Sequence, residues 1–331
     1  FIVYPTLAYA PETSWEFGLS SLYLYYAKGD INNRLSEFNA FTFYTLENQY
    51  GLWLDHANYG HQDKYMFLGR LRFQSFPLFY HGIGSATPED PLALVDIQYL
   101  LWKEHFLRQI SGYFYGGIYT DIQNLPEPDF VDQSDASYQL PLGADGSFNF
   151  GLGLSAVYDS RRNVLNVRDG NFTELSFLRY HPSLGSDFKF TSYLLDSRFY
   201  KKVGTNNVWA SQVLGQFVNG NAPFHMLSLM GGESMMRGYY YGRYRDNNYL
   251  ALQTEFRMLP FSFSKRWGAS FFLAAGQVYP NWEQLQFQNF KLAGGGGLRF
   301  LIFPQKDIYT RLDVALTEEG PGFYFFIGEA F

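Results

Sequence analysis

The chain has 331 residues, a formal net charge of −6 and no cysteine; 17% of its side chains are charged and 20% are aromatic. Without cysteine there are no disulfides, thiolate metal sites, iron–sulfur clusters or thiol nucleophiles, and an acidic chain with no basic face is a poor match for nucleic acid. No run of 18 apolar residues occurs, which excludes a transmembrane helix, yet charge falls below the roughly 25% usual in soluble domains, a combination that fits strands with one greasy and one wet face.

Period-two alternation runs from end to end and predicts an all-β fold, a sixteen-stranded antiparallel transmembrane β-barrel. The strands are expected near 1–10, 15–26, 35–47, 50–57, 64–74, 94–105, 108–120, 148–159, 171–181, 187–200, 207–218, 248–259, 268–278, 291–303, 306–316 and 321–331. Successive side chains of a strand point to opposite sides, so each segment carries two faces. Tyr65, Phe67, Leu71 and Phe73 alternate with Arg70, Arg72 and Gln74. In the window 92–110, Leu100, Leu101, Trp102 and Phe106 also fit a helix. Strand is preferred there because the neighbours are strands and the count comes out even, which puts a break at residues 104–108. Further on, Phe148, Phe150, Leu152 and Leu154 face away from Asn149 and Ser155. Leu250, Leu252, Phe256 and Met258 oppose Gln253, Glu255 and Arg257, and Leu312, Val314 and Leu316 oppose Arg311 and Asp313. The closing strand sets Phe323, Phe325, Ile327 and Phe331 on one face, interrupted by Glu329.

Connections at 28–34, 161–170, 203–207, 258–266 and 303–306 are short to moderate, whereas 81–91, 121–146 and 219–248 are long. Short turns at one end and long loops at the other is the rule for outer-membrane barrels, whose turns face the periplasm. No repeat, low-complexity tract or linker divides the chain, so one barrel domain over 1–331 is expected, with no periplasmic transport-associated domain in it. A soluble propeller or sandwich would carry Lys and Glu on its outer faces; here the charges oppose the aromatics.

Catalytic signatures are missing: there is no Gly-x-Ser-x-Gly elbow and no His-Glu-x-x-His helix. Asp55, His56, His61 and Asp63 read as a polar turn rather than a metal set. Asp121, Glu127, Asp129, Asp132 and Asp135 read as a solvated outer loop. The glycines at 294–297 precede a strand, so they suit close approach of wall and loop better than a phosphate cradle. No enzymatic activity, metal or cofactor is expected.

The sixth outer loop reads Gly231-Gly232-Glu233-Ser234-Met235-Met236-Arg237-Gly238-Tyr239. Glu255 follows on strand twelve, and Phe272 and Gly276 on strand thirteen. Here the sequence resembles the bacterial surface antigen family, the barrel shared by β-barrel assembly insertases, translocation-and-assembly proteins and two-partner secretion transporters. The family's sixth-loop signature, an apolar residue, Arg-Gly, then Phe or Tyr, is matched by Met236, Arg237, Gly238 and Tyr239. Segments 9–19, 159–170, 294–300 and 311–315 look like family segments too.

The resemblance implies that the sixth loop folds back into the lumen and that Arg237 docks on inner-wall acids, with Glu255 matching one of them. A guanidinium gripping carboxylate directionally would hold such a loop in one place, and Gly238 would permit the tight backbone beside it. Where the family often has an Asp two residues after the strand-thirteen Phe, this chain has Ala274, so the latch is expected to rest more on Glu255. A terminal aromatic, Phe331, resembles the family's barrel signal. Pro5 and Gly328 would soften a seam between the first and last strands. The implied function is assembly, insertion or translocation of proteins or lipids at the bacterial outer membrane. The implied partners are outer-membrane lipids and lipopolysaccharide, unfolded outer-membrane or secreted proteins, and accessory subunits or a homodimer; nucleic acid is not among them. The rival readings are a passive pore, lined by Arg70, Arg72, Arg257 and Arg311 with Asp313 and Glu255, and an anchor barrel for an N-terminal domain.

Overall fold

The alternating segments pair, each with its neighbour in the chain, into one antiparallel sheet of sixteen strands. The computed structural model describes residues 1–10, 14–135 and 137–331; residues 11–13 of the family-like segment 9–19 lie outside the described residues. The sheet strands are β1 (Ile2–Ala10), β2 (Ser14–Tyr26), β3 (Leu35–Thr45), β4 (Tyr50–Tyr59), β5 (Tyr65–Ser75), β6 (Gln98–Ser111), β7 (Phe114–Pro126) and β8 (Gly146–Asp159). They continue with β9 (Gly170–Tyr180), β10 (Phe190–Val203), β11 (Asn207–Gly220), β12 (Asn248–Met258), β13 (Trp267–Tyr279), β14 (Lys291–Phe303), β15 (Ile308–Thr317) and β16 (Gly320–Ile327). Among the described residues no helix exceeds a three-residue 3-10 turn.

Burial is inverted relative to a soluble protein. Leu273 is 68% exposed and Phe323 71%, whereas Arg257, Arg299 and Asp313 are fully buried. The polar face is the concave one, because its side chains meet across the sheet. His105 on β6 reaches Glu174 on β9 at 2.9 Å, and Arg34 beside β3 reaches Asp159 at the end of β8 at 3.0 Å. The curl carries nearly all the way round: Lys306, in the turn between β14 and β15, donates to Tyr26 Oη at the end of β2, at 3.3 Å. Among the described residues β1 and β16 each have one strand partner, β2 and β15, and do not pair with each other.

Three expectations from the sequence are corrected. β6 runs unbroken through residues 104–108 and turns at Gly112, whose φ of +54° suits a residue without Cβ. The apolar run Leu100, Leu101 and Trp102 therefore belongs to one long strand. Asp121 is in β7, fully buried and bonded by Tyr180 Oη, so the long loop begins only after Pro126. Asp55 and His56 lie within β4, and only His61 and Asp63 occupy the turn; no group of three His, Cys, Asp or Glu suited to a metal occurs among the described residues.

The long loops knit a cap over one end. A three-stranded sheet (Leu78–Tyr80, Ala93–Asp96 and Asp129–Asp132) lies beside a hairpin of Ser228–Met230 and Tyr244–Asp246. The two are tied where Gly84 N donates to Arg245 O at 2.8 Å and Arg243 donates to Thr87 Oγ1 at 2.8 Å. Tyr80, Leu92, Val95, Leu125 and Phe224 form the cap's core. Two histidines are trapped in it. Burial, with Arg243 nearby, pushes the His81 imidazole down to about 4; burial and Arg245 push His225 down to about 3.

Both rings are thus neutral in the folded cap, while an unfolded cap would protonate them below about pH 6.5. The unfolded state then binds more protons, so the stability contributed by these rings is complete above that value and is lost as pH falls toward the folded values. Limited proteolysis of residues 76–97 and 221–247, corrected for the protease's own pH dependence, should accelerate as pH drops from about 7 to about 5. The double variant His81→Gln/His225→Phe should flatten that dependence.

Candidate functional site

The inward face of the last five strands concentrates charge. Alternation points Glu255 and Arg257 of β12, Arg299 of β14, and Arg311 and Asp313 of β15 to the concave side, all of them buried. Small residues open space between them. A Cβ on Gly297 would lie 2.1 Å from Asp313 Oδ1 and 2.8 Å from Arg299 Nη1, and one on Gly295 would lie 2.7 Å from the Phe272 ring. Gly295 and Gly297, the inward members of the glycine run, therefore make the gap into which the charged side chains fold.

Arg237 enters that gap from the loop joining β11 and β12. Its Nη2 donates to Glu255 Oε2 at 2.6 Å and its Nη1 to Asp313 Oδ2 at 2.7 Å, with every side chain fully buried. The guanidinium lies 3.5 Å from the centre of the Phe272 ring, a cation–π contact strengthened by desolvation. Gly238 adopts φ +107°. A side chain there would come within 2.4 Å of Thr317 Cγ2, and its backbone N–H donates to Tyr324 Oη at 2.8 Å. Tyr239 is buried and donates to the Leu292 carbonyl at 3.2 Å. Met236, also buried, packs on a floor of Ala251, Ala274 and Ala293, and a Cβ on Gly276 would lie 3.1 Å from its sulfur.

That floor explains Ala274. Ala274, at the position where the family often has an acid, lies in the same buried apolar cluster as Met236, and the second carboxylate comes instead from Asp313, two strands along. The expectation that the latch would rest mainly on Glu255 is corrected: the guanidinium is shared between two acids. Glu255 Oε1 also accepts from Arg257 Nε and Arg299 Nη2, each at 3.1 Å. Asp313 accepts from Arg311 Nη1 at 2.9 Å and from Arg299.

A third acid arrives from the end of the chain. β16 stops at Ile327, and Gly328, at φ +92°, turns the backbone inward. Glu329 then accepts from Arg299 Nε at 2.9 Å. Phe331 lies with Val167, Tyr200 and Ala210, its ring centre 4.9 Å from the Arg257 guanidinium. Phe323 and Phe325 face outward, at 71% and 68% exposure. The expected single apolar face ending in Phe331 is thus corrected. Phe331 is off the strand and inside, because the glycine reverses direction before it. Pro5 sits opposite Leu19 on the edge strand β1, far from this cluster in the pairing order.

The cluster contains Arg237, Arg257, Arg299 and Arg311 against Glu255, Asp313 and Glu329. This is a loop arginine clamped by acids on a sixteen-stranded wall. The Omp85 superfamily domain matches residues 90–331. The chain belongs to the Omp85 superfamily. A solved structure of BamA from Haemophilus ducreyi, lacking POTRA domains 1–3, is similar in fold, with a TM-score of 0.58 at 13% identity, covering 97% of this chain and 68% of that one. No curated protein matches the sequence.

Within this Omp85 chain, sequence reading overlooked Arg299 and the anchoring roles of Asp313 and Glu329. Arg299 and Arg311 stand opposite each other in register on β14 and β15; two like charges paired on an inward face demand shared acids, and that was the available signal.

Removing one member of a well-buried ion pair typically costs about 3–5 kcal/mol, because the survivor is left uncompensated. Arg237→Ala, Glu255→Ala and Asp313→Ala should each free residues 231–245 to protease while the sheet keeps its heat-resistant mobility on electrophoresis. Arg237→Ala/Glu255→Ala should be no worse than the poorer single change, since the coupling is already lost; additive effects would refute the latch. Ala274→Asp should loosen the loop, because it drives a carboxylate into the floor beneath Met236.

Proposed function

We propose that this chain forms an integral outer-membrane barrel, closed through β1 and β16, that takes part in the assembly, insertion or translocation of proteins at the bacterial outer membrane. The observation that carries the reading is the inverted sheet whose concave side is filled by a loop. A wall with exposed Leu and Phe outside and buried Arg and Asp inside suits hydrocarbon around it, and a loop pinned inside by Arg237 takes up space that a wide open pore would need. Unfolded outer-membrane or secreted proteins are the proposed substrates. Lipids and lipopolysaccharide are the proposed surroundings, and accessory subunits or a second copy the proposed assembly partners. When that seam opens, the freed edges of β1 and β16 would offer backbone donors and acceptors of the kind that template a further strand.

Planar-bilayer recordings test the filled interior. The intact chain should give small, fluctuating conductances, and deletion of residues 231–245 should enlarge them; a steady large conductance from the intact chain would favour the pore instead. A seam test uses the cysteine-free background: cysteine pairs scanned between residues 2–6 and 320–326 should yield at least one disulfide that blocks complementation of the depleted gene in cells, restored by reductant. Full activity with a complete crosslink would remove strand-edge opening from the mechanism.

A further inference from the structure

The glycine run at 294–297 has a second side that the latch does not use. Gly294 and Gly296 alternate with the inward Gly295 and Gly297 and so face the outer wall. With no side chain at these two positions the wall is bare backbone, and its neighbours lean over it. A Cβ on Gly294 would lie 2.9 Å from Leu273 Cδ2, and one on Gly296 3.0 Å from Phe271 Cδ1. The result is an apolar groove of about 550 Å³ on the outer face, walled by Trp209, Phe256, Phe271, Leu273 and Leu316. The hydroxyls beside it are satisfied within the wall. Ser211 Oγ accepts from Trp209 Nε1 at 3.1 Å and lies 3.1 Å from Thr254 Oγ1, which donates to the Ala210 carbonyl at 3.3 Å.

At the short-turn end of the same wall stands a group of cations. Lys265 and Arg266 close the turn between β12 and β13, and Lys201 and Lys202 lie at the end of β10; all four are exposed. The turns that follow β10 and β12 are bonded to each other, Leu259 N donating to the Asn206 carbonyl at 2.9 Å. Neither turn, 203–207 nor 259–266, contains an acid, and the carboxylate of the next turn, Asp307, is held by Arg168 at 2.8 Å. The Arg266 guanidinium lies 5.8 Å from the centre of the Phe300 ring. That ring faces outward beside Trp267, with the two ring centres 4.9 Å apart. From Phe300 the outward positions of β14 run through Leu298 to Gly296 and Gly294, away from the rim, with about 13 Å between Phe300 and Gly296 at the rise of a strand.

We propose that the groove and the Arg266 turn together bind one molecule of an anionic phospholipid, its phosphate on Arg266 and Lys265 and an acyl chain running along Leu298 into the groove. The order is that of the lipid itself, with the phosphate nearest the rim and the chain toward the middle of the wall. A guanidinium can grip two phosphate oxygens at once, and Trp267 and Phe300 supply the aromatic edge that barrels place at headgroup level. Charge selects the headgroup. A zwitterionic lipid would bring its ammonium to a rim of four cations with no carboxylate in either turn, whereas phosphatidylglycerol brings negative charge alone. The inference rests on the proposal that the outer face meets lipid.

The test uses the full chain in nanodiscs of phosphatidylcholine and phosphatidylglycerol in which one lipid at a time is brominated along its acyl chains. Quenching of Trp209 is read as the difference between the unaltered chain and Trp209→Phe. At equal content, brominated phosphatidylglycerol should quench Trp209 several-fold more than brominated phosphatidylcholine. Lys265→Gln/Arg266→Gln, two exposed changes, should make the two lipids equal, and Gly294→Leu should do the same by filling the groove. Heat-resistant electrophoretic mobility checks that each variant folds; where Gly294→Leu fails that check, Leu273→Ala/Leu316→Ala, which takes down the groove's walls, replaces it. Equal quenching by the two lipids in the unaltered chain, or a preference that survives either the charge variant or the groove variant, would overturn the site and leave the barrel reading standing. No quenching of Trp209 by either lipid would overturn the barrel reading, and the site with it.

Discussion

Everything in the arrangement of this chain answers to one requirement: the charge of Arg237 sits fully buried and must be met there. Two carboxylates from strands that are not neighbours, Glu255 and Asp313, converge on it. They can do so because the inward wall between them is built of residues with little or no side chain, Gly295, Gly297, Ala274 and Ala293. The loop is thereby placed by geometry rather than by length. Its preceding methionine fills the small-residue floor, and its following glycine threads between Thr317 and Tyr324.

The interior behaves as a polar core and the exterior as an apolar coat. In water such a partition would be unstable, since burying guanidinium groups is costly unless each is paired, and exposing Leu and Phe gains nothing. Pairing inside is extensive. Glu255 serves three arginines, and Asp313 serves three. The exposed apolar side is the surface that the proposed membrane setting would cover.

Much of the architecture was legible in the sequence because a period of two survives whatever the tertiary context. Sixteen strands, the inward charges and the loop between β11 and β12 follow from it, together with the resemblance carried by Met236, Arg237, Gly238 and Tyr239. Three things were not legible. The break expected at residues 104–108 failed because Glu104 is held in the strand by backbone pairing with Gly69 of β5 and Thr120 of β7, long-range pairings that a local reading of the segment does not contain. Asp313 could not be matched to Arg237 because the two lie 76 residues apart and meet only when the sheet curls. The inward course of the last residues depends on Gly328, and a glycine near the end of a strand does not announce which way the chain will turn.

The inward turn at Gly328 makes the last strand and the sixth loop draw on the same guanidinium. Arg299 holds Glu329 with one nitrogen and Glu255 and Asp313, the two acids that clamp Arg237, with the others. Withdrawal of the tail would leave four arginines facing two acids, so the departure of one segment raises the electrostatic cost of keeping the other. By linkage the effect runs equally in both directions: whatever tightens the loop steadies the edge strand, and whatever pulls on the edge strand is felt at the loop.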